Sequence, residues 1–309
     1  MNEWTQLRVT CPVSDSETVS AVMSMIDNNL MIEDPNDADT IETIYGELMD
    51  ESIVNADRSE VKISVFLSED RNPAEILSYL RERFAFLGIA AKIETVGRKE
   101  SDWAEVWKKY YRPIPISRTV TVVPVWEKYE AKDGEKLVFM DPGMAFGSGT
   151  HETTRLCAAL IEDYMKPGDR VLDVGTGSGI LAISAAKLGA GKVNAYDIDP
   201  VAVRIAGENV VFNGVGDTVN CGVSDLLRDV DLSEGPYDFV SANIVADIIL
   251  RMADDISGYV KENGLLAVSG IIERQADEVE EKLVSEGFEL IDRRTERDWN
   301  SLLLKKRAQ

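Results

Sequence analysis

The stretch "VLDVGTGSGIL", Val171–Leu181, decides how this chain is read. Val171, Leu172 and Val174 make a short apolar run of buried-strand character, and glycines follow at 175, 177 and 179. The apolar segment from Ile180 onwards then has the length and composition of a helix. In doubly wound α/β folds such a turn lies beyond the carboxyl end of its strand, where ligands bind. A missing Cβ lets the backbone approach a ligand closely. The dinucleotide fingerprint requires a third glycine three residues after the second. That position is Ile180, so the pattern is Gly-x-Gly-x-Gly.

The next strand narrows the ligand. "KVNAYDIDP", Lys192–Pro200, brings Asp197 and Asp199 to the same carboxyl edge. A carboxylate there accepts hydrogen bonds from both hydroxyls of a ribose, which selects a nucleoside without separating NAD from S-adenosylmethionine. The strand "YDFVSANIVAD", Tyr237–Asp247, separates them. It ends in an apolar residue and Asn243, whose amide oxygen and adjacent carbonyl can accept from an amine. A hydride-transfer enzyme would more often present an acid–base residue, and the single histidine, His151, lies elsewhere.

Around these motifs the pattern predicts strands at 170–174, 192–197, 237–242 and 264–270, with a shorter extended piece at 218–223. Helices are expected at 178–188, 200–213, 246–262 and 273–286. Alternating β and α implies a parallel sheet covered on both faces. "FELIDRRTERD" and "WNSLLLKKR" read as a terminal antiparallel pair. Upstream, "TVTVVPVWEKY" and "KLVFMD" flank a turn at "KDGE" and predict a hairpin.

Residues 1–97 form a different unit. A strand at "WTQLRVT", a helix at "DSETVSAVMSMIDNN", extended stretches at "TIETIYGEL" and "VKISVFL", the helix "NPAEILSYLRERFAFLG" and the strand "IAAKIETV" follow in turn. This βαββαβ order is that of a small α+β ferredoxin-like domain, a fold too versatile to name a function. A linker, 98–118, carries Trp103, Val106, Trp107, Tyr110 and Tyr111 on one helical face before Pro113 and Pro115 end the helix. The plain account is packing onto a neighbouring domain; the sharper one is a substrate approach. The third segment is 119–309.

Composition sets the class. The net charge is −22 over 309 residues, which opposes direct binding to naked nucleic acid and suits a basic partner protein as well as plain solubility. Positions 1–97 hold 19 acidic and seven basic residues, a net of −12, more than half of the excess. No apolar run approaches the roughly 20 residues of a membrane span, and the N-terminus has no signal-peptide pattern. Cys11, Cys157 and Cys221 are scattered, without metal or disulfide spacing, as expected in the cytoplasm.

"VLDVGTGSGILAISAAKLGA", "DIDP" and "ANIVADII" resemble the Rossmann-like core of class I S-adenosylmethionine-dependent methyltransferases. With "DPGMAFGSGTHETT" and "WAEVWKKYYRPIPI" added, the chain resembles the family that methylates large-subunit ribosomal protein L11. The resemblance implies that Gly175 and Gly177 approach the methionine half of the cofactor, that Asp173 shapes the turn, and that Asp197 binds the ribose. It implies that the loop before residue 155 folds over the cofactor, with Thr154 a polar contact and Phe146 a covering aromatic. Asn243 would contact the cofactor and hold the substrate amine. The implied substrate is a basic ribosomal protein offering lysine side chains and an α-amine, held by the small domain of a monomeric enzyme. Thr176, Ser148 and Glu152 depart from the family's usual cysteine, threonine and proline. Alternatives remain: "GSGTHETT" as a helix start capped by Thr150 or His151, a small-molecule or nucleic-acid methyltransferase, or a non-catalytic cofactor-binding partner of the ribosome. No residue compels a general-base assignment.

Overall fold

Apolar strands that alternate with helices after residue 170 assemble into a seven-stranded mixed sheet. The computed structural model describes residues 5–27, 29–37, 58–67, 73–96, 111–141 and 147–308. Contacts divide the chain into two units, Met1–Tyr111 and Arg112–Gln309.

The first unit contains β1 (Thr5–Pro12), α1 (Ser16–Ser24), β2 (Met31–Glu33), β3 (Glu60–Leu67), α2 (Pro73–Leu87) and β4 (Lys92–Val96). Its strand order β2-β3-β1-β4, antiparallel throughout, is the ferredoxin-like arrangement. Alternate residues of β1 and β3, among them Leu7, Val9, Ile63 and Val65, are fully buried. The expected strand at "TIETIYGEL" and the linker helix over 101–110 lie outside the described residues. Besides β1, β3 pairs with Met31–Glu33, a strand too short and too exposed to show an alternation in sequence.

The second unit opens with a small sheet of β5 (Ile114–Pro115), β6 (Val120–Pro124) and β7 (Lys136–Met140). Here the expected hairpin is wrong, because β6 and β7 run parallel. The connection returns to the start of β6 instead of folding straight back. Glu135 anchors it, accepting from Thr121 Oγ1 at 2.5 Å, Tyr129 OH at 3.0 Å and Lys132 N at 2.8 Å.

The main sheet follows: β8 (Arg170–Val174), β9 (Lys192–Asp197), β10 (Val219–Val223), β11 (Tyr237–Asn243), β12 (Val260–Ile272), β13 (Phe288–Glu296) and β14 (Trp299–Lys306). Its order is β10-β9-β8-β11-β12-β14-β13, parallel except at β14. The chain winds from β8 outwards to β10, then restarts at β11 on the other side of β8. The switch point therefore lies between β8 and β11, where a doubly wound sheet binds its ligand. Every residue of β8 is buried, and β14 is buried from Trp299 to Leu304, so β14 sits inside the sheet while alternating β13 forms the edge.

Helices α3 (Glu152–Tyr164), α4 (Ile180–Lys187), α5 (Pro200–Phe212), α6 (Ala246–Ile256) and α7 (Glu273–Ser285) connect or cover the strands. The helix expected at 246–262 stops at Ile256. A 3-10 turn at Ser257–Tyr259 follows, and β12 begins at Val260. Lys306 Nζ donates to the carbonyls of Ser257 and Val260, and Tyr259 OH donates to Leu227 O. These distant partners set the boundary, and the local sequence does not.

Candidate active site

The glycine turn is left-handed at all three of its glycines, with φ of 70° at Gly175, 55° at Gly177 and 84° at Gly179. A residue with a Cβ pays about 1–2 kcal/mol for that conformation. The turn is fastened to β9. Gly175 N and Thr176 N both donate to Tyr196 O, at 2.8 and 2.9 Å. Gly177 N donates to Asp197 Oδ2 at 2.8 Å, and Asp199 N to Asp197 Oδ1 at 3.1 Å. Gly179 is the N-cap residue of α4, and a Cβ there would lie 3.2 Å from Ala206 Cβ. The third glycine therefore serves the close packing of α5 against the turn.

Asp173, at the end of β8, is buried and receives Ser241 Oγ at 2.7 Å and Thr176 Oγ1 at 2.6 Å. Burial pushes its carboxyl up to about 6; the two hydroxyl donors oppose the rise, while the charge of Asp197 adds to it. Neither hydroxyl partner was identified from sequence. Ser241 comes from β11, paired beside Asp173, and only strand register brings them together.

The second loop meets the first. Gly147 and Gly149 are also left-handed, with φ of 108° and 89°. Ser178 Oγ donates to Gly147 O at 2.7 Å. A Cβ on Gly149 would come within 3.1 Å of Ile180 Cδ1 and 3.2 Å of Ile116 Cγ2, so glycine is what permits this approach. His151 caps α3 by accepting from Thr153 N through Nδ1 at 3.2 Å, and its ring stands edge-on to Trp299 with centroids 5.0 Å apart. Of the two candidate caps, His151 fills the role. Helix capping and core packing account for this histidine, and Nδ1 is already engaged.

Thr154 is buried in the first turn of α3, and its Oγ1 accepts from Asn243 Nδ2 at 3.5 Å. Ser269, beside Asn243 on β12, holds that turn down by donating to Thr153 O at 3.0 Å. The Oδ1 of Asn243 is buried and meets no hydrogen-bond donor among the described residues. A buried acceptor in that state costs about 1–3 kcal/mol. Thr176 ties Asp173 to Tyr196 O, which also receives Gly175 N, and Gly177 N binds Asp197, while Thr154 and Asn243 meet across α3 and β11. Ser178 joins the glycine turn to Gly147. Phe146 lies outside the described residues.

These residues suit a nucleoside-bearing cofactor. A carboxylate has about four acceptor positions; Gly177 N and Asp199 N take one on each oxygen of Asp197, which leaves capacity for two ribose hydroxyls. Gly175 and Gly177 keep Cβ atoms off the turn. Among the described residues, no group of three or more His, Cys, Asp or Glu is arranged to hold a metal ion.

The strand order and the switch-point glycine turn are those of a class I S-adenosylmethionine-dependent methyltransferase. The family model described as "Ribosomal protein L11 methyltransferase (PrmA)" matches residues 3–307. The chain belongs to that family. A ribosomal protein L11 methyltransferase of Caldanaerobacter subterraneus subsp. tengcongensis is 40% identical over 314 residues, covering 99% of this chain and 100% of the relative. One from an Exiguobacterium species is 41% identical over 317 residues, covering 98% and 99%. A crystal structure described as ribosomal protein L11 methylase from Lactobacillus delbrueckii subsp. bulgaricus is 37% identical with a TM-score of 0.60, covering 64% of this chain and all of that one.

Proposed function

We propose that this protein transfers methyl groups from S-adenosylmethionine to amines of ribosomal protein L11, both lysine side chains and the N-terminal α-amine. The observation that supports the amine reading best is the buried Oδ1 of Asn243, an acceptor short of a donor at the switch point. Gly175 and Gly177 would hold the methionine half of the cofactor, Asp197 the ribose, and Thr154 and Phe146 its covered side. When bound, the cofactor supplies an activated methyl group on a positively charged sulfur.

The chain's own residues then have two tasks. One is to orient the amine. Asn243 Oδ1 accepts one N–H and leaves the nitrogen lone pair free to point at the methyl, an advantage of position instead of acid–base chemistry. The other is to keep that amine neutral. At pH 7 the neutral form costs about 4.6 kcal/mol for a lysine of pKa 10.4 and about 1.4 kcal/mol for an α-amine of pKa near 8. A neutral amide acceptor favours the ammonium form less than a carboxylate would. No proton acceptor beyond solvent is assigned.

The acidic first unit is the natural seat for a basic ribosomal protein, since opposite charge speeds encounter. Such a substrate is met in the cytoplasm. Among the described residues, no helix is long and apolar enough to cross a membrane. The reading is tested by incubating the full chain with methyl-labelled S-adenosylmethionine and purified L11. Label is expected at lysines and at the N-terminus; absence of label on L11, with label on RNA or on a small molecule, would overturn it.

A further inference from the structure

Helix α5 carries two buried asparagines one turn apart, Asn209 within it and Asn213 as its C-cap. Asn213 pairs with β7 as a neighbouring strand would: Oδ1 accepts Phe139 N at 2.8 Å and Nδ2 donates to Phe139 O at 2.7 Å. Asn209 does something else. Its Oδ1 accepts Asp141 N at 2.9 Å, while its Nδ2 donates to Ser178 O at 2.9 Å. One fully buried amide therefore bridges the residue after β7 and the glycine turn. The two partners are of opposite kind, an N–H and a carbonyl, so they also fix which way the amide points.

Ser178 completes the brace from the other side through its hydroxyl, which donates to Gly147 O at 2.7 Å. Asp141 and Gly147 are thus both referred to the same residue of the turn. Ala206, three residues before Asn209 and on the same face of α5, is the neighbour against which Gly179 packs. Two adjacent contacts of α5, one apolar and one polar, therefore set the height of the turn.

We propose that Asn209, acting through Ser178, is a positioning residue for the cofactor. It holds Gly175 and Gly177 in register with the Gly147–Thr154 segment so that both loops reach the same ligand. This rests on the S-adenosylmethionine reading above. Neither side chain needs to touch the cofactor, and Asn213 supplies a built-in control. That residue closes the same helix, is buried, and makes equally short bonds to β7, but none to the turn.

The test compares Asn209→Asp, Ser178→Ala and Asn213→Ala in the full chain by calorimetric titration with S-adenosylhomocysteine, alongside thermal unfolding without ligand. Asn209→Asp keeps the acceptor for Asp141 N and sets a carboxylate oxygen against Ser178 O. It is expected to raise Kd at least tenfold and the cofactor KM in parallel, with kcat at saturating cofactor falling less than threefold. Ser178→Ala is expected to raise Kd at least threefold. Asn213→Ala is expected to lower Tm with Kd within twofold of wild type. A folded Asn209→Asp protein whose Kd changes less than threefold overturns the inference, as does an equal affinity loss in Asn213→Ala. Should Asn209→Asp fail to fold, Asn209→Ala, which removes both bonds of the amide and leaves Ser178 unchanged, decides by the same threefold limit. A wild-type chain that does not bind the probe refutes the cofactor reading and this inference with it.

Discussion

Asn243→Ala is expected to lower turnover while leaving the ligand-free fold close to its original stability. In the free protein Oδ1 is a buried acceptor without a donor, so deleting it relieves about 1–3 kcal/mol of unmet hydrogen bonding. The hydrogen bond removed is a weak one, because Nδ2 reaches Thr154 Oγ1 only at 3.5 Å. Removing the amide atoms also costs packing, on the order of 1–2 kcal/mol. These terms oppose one another, and the net change is expected within about 1 kcal/mol, a Tm shift of roughly 2–4 °C for a unit of this size. Catalysis has no such compensation, since a misplaced amine reacts more slowly, and at least a tenfold fall is expected. The assay is single-turnover methylation with cofactor and substrate both saturating, beside thermal unfolding without ligand. A wild-type single-turnover rate would show that Asn243 neither positions the amine nor supports the reactive methyl. A destabilisation beyond about 3 kcal/mol would show that the amide is needed to hold the fold, contrary to the unmet acceptor at Oδ1.

Asp197→Ala should weaken S-adenosylhomocysteine binding by roughly 1.5–3 kcal/mol for each charge-assisted bond removed, as an upper guide, and unchanged affinity by calorimetry would sink the ribose assignment. Asp173 has its carboxyl raised to about 6, so its contribution to stability is fully present below about pH 4 and is lost as pH rises through about 6. The swing is roughly 3 kcal/mol at 1.36 kcal/mol per pH unit. The stability difference between wild type and Asp173→Asn should therefore vary between pH 4 and 6 in urea unfolding without ligand, and a difference independent of pH would refute the buried-carboxylate account. A truncated chain of residues 112–309 should bind the cofactor product but methylate L11 poorly; full activity on L11 would remove the first unit from substrate selection.

Local chemistry determined a good deal of this molecule from the sequence alone. The strands at 170–174 and 192–197 were legible residue for residue because turn residues bound them and β-formers, Val171, Val174, Val193 and Tyr196, sit within them. Gly175, Gly177, Asp197 and Asn243 could be named because a turn lacking Cβ atoms and polar groups at strand ends are local features that the chain order preserves. The short β2 was not legible, having three exposed residues and no periodicity. The parallel pairing of β6 with β7 was hidden for a different reason: each strand reads the same whichever way its partner runs, and the anchoring of Glu135 on Thr121 decides it. The same holds within the site. Ser241 meets Asp173 through strand register, Ser269 reaches Thr153 from β12, and Asn209 spans Asp141 and Ser178 from a helix about 30 residues beyond the glycine turn. Hydrogen bonds between distant residues depend on where the backbone is delivered, which no local pattern encodes. The sequence thus determined which groups stand at the ends of β8, β9 and β11, and only the tertiary structure decided what holds each of them there.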